Sequence, residues 1–324
     1  ALESTDCFAV ARFAEAERLR AAGIRTDIVV MGGPLAATDL DRAVDLDCRI
    51  VIHDPVQVSW VERFKSSLPG VWVKVDTGMR RLGIYPGQID EVLDRIEGST
   101  GFHGLLTHFA NADDRTDETT LEQLARFAEL IAGFQGQVSI ANSAALLSWD
   151  EVLAIFPEIS REGRLWIRPG VALYGLSPFP DQTGADLGLM PAMQLESRLL
   201  SVKRLSKGDR VGYGGDWRAA QESTLGIVSV GYGDGYSRNI PSGTPVLVNG
   251  RRAAVAGRVS MDLTAIDLGP GAEDVVGDPV ILWGEGLPVE EIAKAAGTIP
   301  YTLVTGVTHR ESPIYPDSSA TGAG

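Results

Sequence analysis

"LWIRPGVALYG", residues 165–175, joins an apolar strand to a charged residue and a tight turn. Residues 165–167 are apolar and typical of a buried strand. Arg168 follows at once, and because a guanidinium stays charged at any accessible pH, a position near a core requires a partner for it. The Pro-Gly pair at 169–170 then turns the chain toward a segment that could open a helix. A buried strand that ends in a cation raises the question of what that cation binds.

Six more apolar, strand-like segments precede residue 165, and amphipathic helical stretches separate them. The segments are residues 7–11, 27–33, 49–54, 71–78, 102–110 and 138–143. They are continuously apolar rather than alternating, as strands buried on both faces of a parallel sheet are. The clearest helical stretch, residues 120–134, repeats apolar side chains along one face. This alternation of strands and helices predicts βαβ units.

Two parallel architectures are compatible with seven such strands. An open doubly wound sheet is disfavoured because no strand is followed by the glycine-rich dinucleotide fingerprint. A closed (β/α)₈ TIM-type barrel needs eight strands. Residues 1–11 run directly into a strand and resemble the middle of a domain. We therefore predict an α/β barrel whose first strand, within about 40 to 50 residues of chain, lies upstream of residue 1.

The pattern changes near residue 180. The stretch SPFPDQTG, residues 177–184, has the composition of a linker. Beyond it, strand-like segments alternate with turns, among them an Asn-Gly hairpin signal at 249–250, and a short helix is expected at 289–297. We predict two domains, an N-terminally incomplete barrel over residues 1–180 and a mostly β domain over residues 181–324.

Composition narrows the classes of function. The 324 residues include 29 basic and 43 acidic side chains, a net charge of −14. This acidity opposes binding to nucleic acid or anionic membranes, and no segment resembles a membrane span or a signal peptide. Cys7 and Cys48 are expected to be buried thiols in a reducing compartment, and the histidines lack metal-ligand spacing. We predict a cytoplasmic protein without a metal site.

The predicted strand tips carry cations, a hydroxyl and free backbone amides. In a (β/α)₈ barrel these tips lie at the face where chemistry occurs. A hydroxyl and amides at a helix start suit a phosphate, and cations suit an anionic ligand in general. The candidate residues are Lys74, Arg81, His108, Ser143, Arg168, Gly170 and Val171.

Each candidate also has a purely structural interpretation. Arg168 could pair with an acid from a neighbouring strand, and Lys74 could extend its ammonium outward to water. His108 could be a core histidine that bonds to backbone, and Ser143 could cap the next helix. Tyr232, in GYGDGYSR (231–238), could be a surface tyrosine in a hairpin turn whose glycines bend the backbone tightly. Their shared position at strand tips favours function for the first four.

Seven motifs together resemble a known family. They are VKVDTGMRRLGI, THFANAD, ANSAA, RPGVALYG, GYGDGY, GRVSMD and PYTLVTGV, in this order along nearly the whole chain. The sequence is similar to the bacterial alanine racemases, which are fold type III enzymes that use pyridoxal 5′-phosphate (PLP). The resemblance implies an isomerase that interconverts L-alanine and D-alanine.

The resemblance also implies a role for each residue that binds the cofactor. Arg168 would bond to the pyridine nitrogen and leave it unprotonated, so that the ring withdraws electrons less strongly, and His108 would support this layer. Arg81 would bind the phenolic oxygen and the substrate carboxylate, and Lys74 would be carbamylated, as in many members. The phosphate would be held by Ser143, Gly170, Val171 and Tyr301.

Racemisation requires a base on each face of the Cα–H bond. The resemblance implies that Tyr232 is the base for the L-enantiomer and that the Met261 amide helps to hold the carboxylate. In the family both residues come from the partner subunit, so a homodimer with shared sites is expected. The D-alanine formed would serve cell-wall peptidoglycan.

The sequence departs from the family pattern in two places. The lysine that binds PLP covalently lies in a segment like VKANAYGHG, and none of the lysines of residues 1–324 has that context. We expect this lysine upstream of residue 1, and residues 1–324 alone to be inactive. The C-terminal stretch HRESPIY (309–315) is less basic than in the family and is expected to lie far from the chemistry.

Three alternatives remain open. The protein could be a racemase of broader specificity, or another fold type III enzyme such as a decarboxylase. It could also be a PLP-binding protein without catalytic activity, although Arg81 and Tyr232 would then have no evident purpose. Residues near the substrate side chain would distinguish the first two.

Overall fold

The apolar segments of the first half form seven parallel strands that pair in chain order in one sheet. The computed structural model describes residues 2, 4–64, 67–96, 101–154, 156–308, 310 and 313–315. It divides into two compact units, Ala1–Gly170 and Val171–Gly324. The strands are β1 (Cys7–Val10), β2 (Asp27–Val30), β3 (Arg49–Ile52), β4 (Val71–Lys74), β5 (Phe102–Leu106), β6 (Gln137–Ser139) and β7 (Leu165–Trp166).

Helices connect these strands, as the alternating pattern predicts. They are α1 (Phe13–Ala21), α2 (Asp39–Asp45), α3 (Pro55–Arg63), α4 (Ile89–Ile96), α5 (Thr119–Leu130), α6 (Ser143–Ser148), α7 (Asp150–Ala154) and α8 (Pro157–Arg161). The predicted barrel-type α/β class is confirmed. Each strand ends before the predicted segment does, because the last residues of the segment leave the sheet and form loops.

The amino ends of the strands enclose an aromatic and basic cluster. Trp72 contacts the rings of His103 and Trp166 edge to face, with centroids 4.8 and 5.9 Å away. Arg49 lies over Trp166, and its Nη1 is 3.3 Å from His103 Nε2. Burial, reinforced by the Arg49 charge, lowers the pKa of His103 to about 4. This cluster therefore closes the end of the sheet opposite the strand tips with a neutral histidine.

The second unit contains a closed antiparallel barrel of six strands in the order β11–β14–β13–β12–β15–β8. Its strands are β8 (Leu195–Leu205), β11 (Ser223–Val228), β12 (Pro245–Val248), β13 (Arg251–Val255), β14 (Thr264–Gly269) and β15 (Pro279–Trp283). A separate two-stranded hairpin consists of β9 (Arg210–Val211) and β10 (Trp217–Arg218), and the helices are α9 (Val289–Ala295) and α10 (Pro300–Gly306). The predicted mostly β class is confirmed.

The Asn-Gly signal at 249–250 forms the predicted hairpin turn between β12 and β13. Both residues have positive φ, 49° and 76°, as a two-residue turn that follows the twist of the strands requires. Tyr236 and Trp283 stack within the barrel core with ring centroids 6.0 Å apart. The aromatic pair fills the closed barrel from two distant positions in the sequence.

The stretch 177–184 is irregular, as its composition predicts, but it is bound to the second unit. Glu290 of α9 accepts hydrogen bonds at Oε1 from the Ser177 and Gly184 amides, at 2.8 and 2.9 Å. Phe179 between them is buried. A linker composition therefore identifies the lack of regular structure and not the packing of the segment.

Both cysteines are free thiols, with Cys48 buried and Cys7 partly buried. Within the described part of the chain, no helix combines the length and apolar character needed to cross a bilayer.

The His103 cluster predicts a specific pH dependence of stability. The pKa of His103 is about 4 in the folded protein and about 6.5 in an unfolded chain. As the pH falls through this window, the unfolded chain takes up the proton first, and stability present above pH of about 6.5 is lost. Because glutamine does not titrate, we expect the free energy of unfolding of His103→Gln to fall by about 1–3 kcal/mol less than that of the wild type as the pH is lowered.

Urea unfolding followed by tryptophan fluorescence, at about pH 7 and at about pH 4.5, measures this difference. The wild-type chain is the control because the other acid-sensitive groups are common to both proteins. Equal losses of stability in the two proteins would contradict the assignment to His103.

Candidate active site

Arg168 lies beyond the tip of β7 and bonds to the ends of two neighbouring strands. Its Nη1 donates to Ser139 Oγ at 2.5 Å, and its Nη2 donates to the carbonyls of Thr107 and Ile140 at 2.6 and 3.1 Å. In the described part of the chain it forms no ion pair with a carboxylate, so the acid-pair interpretation is not what the structure has. Burial lowers the pKa of Arg168 to about 10, and it stays protonated near neutrality.

His108 completes this layer as a neutral group. Its Nδ1 lies 3.5 Å from Arg168 Nη2. Burial, followed by the charges of Arg168, Lys74 and Arg81, lowers the pKa of His108 to about 3. The imidazole therefore adds no charge to a region that already holds several cations.

Lys74 is the last residue of β4 and is only 7% exposed. Burial, together with the charges of Arg81 and Arg168, lowers its pKa to about 8, while Asp76 acts in the opposite direction. No carboxylate of the described residues lies within ion-pair distance of its ammonium group. The snorkelling interpretation is not supported, because the side chain stays buried.

Among the described residues, Asp76 is the acid whose charge raises the pKa of Lys74, and it is itself bound by a loop. Asp76 Oδ1 accepts hydrogen bonds from the Gly78 and Arg80 amides at 2.9 and 3.0 Å. Arg81 follows in this loop and is exposed, yet its charge is close enough to lower the pKa of Lys74 and His108. The strand tips thus hold more positive than negative charge.

Ser143 and Gly170 form a pair beside this cluster. Ser143 Oγ accepts a hydrogen bond from the Gly170 amide at 2.9 Å. Asn142, rather than Ser143, caps α6, because its Oδ1 accepts from the Ala145 amide at 3.0 Å. A Cβ added at Gly170 would meet no atom within 4 Å, so the backbone here borders open space.

In the second unit, the loop that carries Tyr232 packs against the loop that carries Met261. The Tyr232 amide donates to the Ser260 carbonyl at 3.0 Å, and the Gly233 amide donates to the Met261 carbonyl at 2.8 Å. A Cβ at Gly231 would lie 2.3 Å from the Met261 carbonyl oxygen. The glycines of GYGDGY therefore allow two loops to touch, a role beyond tight bending.

The structure brings the predicted residues together in two sets. The first unit holds Lys74, Arg81, His108, Ser143, Arg168 and Gly170 around the strand tips, and the second holds Tyr232 beside Met261. Val171 opens a short 3₁₀ helix, Val171–Tyr174. Tyr301 is the second residue of α10 and is partly exposed.

Three residues with a part in these arrangements escaped the sequence analysis. Ser139 lies within an apolar strand and carries no motif, so only the fold shows that it binds Arg168. Arg238 closes the GYGDGYSR motif, and its guanidinium carbon lies 5.6 Å from the centre of the Tyr232 ring.

The third is Tyr213, at the tip of the β9–β10 hairpin. It is 68% exposed and lies among glycines with positive φ. Asp216 in the same turn pairs with Arg258 Nε at 2.5 Å, which links this hairpin to the loop of Met261. The sequence signal that could have identified Tyr213 is VGYGGDW, in which the tyrosine lies between glycines as it does in GYGDGY.

Comparisons with known proteins agree with this two-unit organisation. Residues 1–178 match the family model of the alanine racemase N-terminal domain, and residues 192–315 match that of the C-terminal domain. The chain belongs to the alanine racemase family. A curated alanine racemase of Shewanella sp. (strain W3-18-1) is 46% identical over 313 residues, which is 95% of this chain and 85% of the relative.

Solved alanine racemase structures share the fold. The biosynthetic alanine racemase from Pseudomonas aeruginosa is 41% identical with a TM-score of 0.86, covering 95% of this chain and 84% of that one. Alanine racemase from Acinetobacter baumannii is 33% identical with a TM-score of 0.87, covering 95% of this chain and 85% of that one.

Among the described residues, no three His, Cys, Asp or Glu side chains form a group suited to a metal ion.

The Arg168 interactions predict an unequal effect of two serine substitutions. Ser139→Ala removes a buried acceptor from a charged donor and should lower the free energy of unfolding by about 1–3 kcal/mol. Ser148→Ala is the matched control, because Ser148 Oγ accepts from Arg115 Nε at 3.0 Å in an exposed pair and should change stability by about 0.5 kcal/mol or less. Chemical unfolding measures both, and equal effects would contradict a buried role for Ser139.

Proposed function

We propose that the protein interconverts L-alanine and D-alanine with PLP as its cofactor. The surplus of positive charge at the strand tips carries this proposal. The charges of Arg81 and Arg168 both act on Lys74 there, and His108 is neutral. PLP presents a phosphate and a phenolic oxygen, both anionic, so the donor set fits it. When bound, PLP withdraws electrons from the substrate and makes its Cα–H bond acidic.

The residues of the first unit divide the binding of PLP between them. Ser143 and Gly170, already neighbours, would hold the phosphate together with Val171 and Tyr301. Arg81 would bind the phenolic oxygen and the substrate carboxylate. Arg168 would donate to the pyridine nitrogen. With a pKa of about 10, its guanidinium donates a hydrogen bond without giving up the proton, and the nitrogen stays unprotonated.

Lys74 is proposed to be carbamylated. Its pKa of about 8 leaves part of the amine neutral near neutral pH, and the neutral amine is the form that reacts with carbon dioxide. The new N–C bond gives a carbamate and releases one proton from the nitrogen. The carbamate would place a negative charge beside Arg81 and Arg168, where the described residues supply little of it.

A tyrosine of the second unit is proposed as the base that takes the proton from L-alanine. The sequence resemblance gives this role to Tyr232, whose ring lies beside the guanidinium of Arg238. The structure adds Tyr213 as a competitor, because it is 68% exposed whereas Tyr232 is 37% exposed. The Tyr232 amide bonds to the loop of Met261, and the hairpin of Tyr213 reaches that loop through the Asp216–Arg258 pair. The Met261 amide would help to hold the carboxylate.

We further propose a cytoplasmic homodimer in which each subunit lends its tyrosine and Met261 to the partner's site. The D-alanine formed would enter the synthesis of cell-wall peptidoglycan. We favour this enzyme over a non-catalytic PLP-binding protein. In the enzyme Arg81 would bind the substrate carboxylate, whereas a protein without a substrate would have no evident use for it.

Borohydride reduction of the protein isolated from its native source tests the cofactor proposal. Borohydride fixes PLP to a lysine covalently, so intact-mass analysis should show an added mass equal to that of reduced PLP. A lysine carbamate loses carbon dioxide when a protein is digested, so Lys74 is examined in the native protein, where labelled bicarbonate should give a carbamate carbon signal by NMR. Absence of the PLP adduct, with no alanine racemisation, would refute the proposed function.

The two tyrosines predict a test of the base. We expect one of Tyr232→Phe and Tyr213→Phe to slow exchange of the Cα hydrogen of L-alanine by about 10²–10⁴-fold, with PLP absorbance retained. Tyr315→Phe, an exposed tyrosine outside the proposed site, is the matched control. Loss in Tyr232→Phe alone supports the resemblance, and loss in Tyr213→Phe alone transfers the role to Tyr213. If neither variant loses activity, both tyrosines are excluded as the base.

A further inference from the structure

Three segments of the second unit converge around Tyr232 and Met261. The loops of residues 231–236 and 258–263 are joined by backbone hydrogen bonds, as described above. The third segment follows α10. The Thr308 amide donates to the Asp234 carbonyl at 3.0 Å, and Thr308 Oγ1 donates to the Gly233 carbonyl at 2.9 Å. The end of the described chain is therefore part of the Tyr232 loop's surroundings.

Arg310 connects the two loops through their carboxylates. Its Nη1 lies 2.8 Å from Asp262 Oδ1 and 3.2 Å from Asp234 Oδ1. Asp234 Oδ2 in turn accepts from the Gly231 amide at 2.9 Å. One guanidinium nitrogen thus links Asp262, the residue after Met261, to Asp234, two residues after Tyr232.

A glycine makes this contact sterically feasible. A Cβ at Gly233 would lie 2.4 Å from Arg310 Nη1 and 3.0 Å from the Met261 carbonyl oxygen, so the guanidinium would have to move from its present position. Gly235, with φ of 101°, likewise touches residue 306, where a Cβ would lie 2.3 Å from the carbonyl oxygen. The glycines of GYGDGY therefore accommodate the C-terminal segment as well as the Met261 loop.

Exposed ion pairs contribute little to stability by themselves, and Arg310 is half exposed. Its importance lies in placement. Asp234 and Asp262 are like charges on adjoining loops, and without a shared cation they would repel each other and separate the loops. A separation of about 1 Å in a site that must position a reacting group is enough to slow a reaction strongly.

We propose that Arg310 is a positioning residue for the racemisation, holding the Tyr232 loop against the Met261 loop. The proposal rests on the proposed function for its catalytic consequence, but its structural part does not. It also corrects the expectation that the stretch HRESPIY lies far from the chemistry, since Arg310 adjoins both loops.

Hydrogen exchange and kinetics of the native protein test this role. We expect Arg310→Ala to increase amide exchange in residues 229–236 and 258–263. We expect it to lower kcat for alanine by about 10- to 100-fold with a smaller change in KM, and Arg310→Lys to restore part of both. Arg252→Ala is the matched control, because Arg252 is similarly exposed and binds Glu291 by two short bonds in the same unit.

Arg310→Ala behaving like Arg252→Ala in both measurements would overturn the proposal. Asp262→Asn removes one arm of the bridge and provides the same test if Arg310→Ala does not fold. If the wild-type protein does not racemise alanine, the proposed function fails, while the exchange data still decide whether Arg310 orders the two loops.

Discussion

The guanidinium of Arg168 organises the tips of three adjacent strands. It ties the ends of β5 and β6 to β7 through Thr107, Ser139 and Ile140, using neutral acceptors alone. A buried cation held by neutral groups keeps its charge uncompensated. Burial and that charge act together on its neighbours: His108 stays neutral and Lys74 loses its proton more readily. The surplus of positive charge at the strand tips is the feature that supports the proposed binding of an anionic cofactor there.

The choice of neutral partners for Arg168 has a chemical consequence. A carboxylate partner would have neutralised the charge of Arg168, and little attraction for an anionic ligand would have remained. Hydroxyl and carbonyl acceptors hold the group in place but leave its charge to act outward. Lys74 is likewise left without an acidic partner. Asp76, the acid that acts on it, accepts hydrogen bonds from the loop amides of residues 78 and 80 instead.

Sequence patterns predict the parts of this molecule that depend on local chemistry. Continuous apolar runs identified all seven parallel strands, and Asn249-Gly250 identified a hairpin. Contacts that depend on how distant strands align were not predictable. In the sequence Ser139 is one residue of a buried strand. Only the pairing of β6 with β7 shows that its hydroxyl binds Arg168. The six-stranded closure and the position of Arg310 beside Asp234 and Asp262 likewise emerge only from pairing across long stretches of chain.

The glycines of GYGDGY show why a motif can be recognised without its reason being visible. In the sequence they indicate a tight turn, which any hairpin could supply. In the structure Gly231 admits the Met261 carbonyl, Gly233 admits Arg310 and Gly235 admits residue 306. A side chain at Gly231 or Gly235 would meet backbone atoms of another segment, and one at Gly233 would displace the tip of Arg310. The glycines of the motif are therefore explained by the contacts among three segments more than by the turn itself.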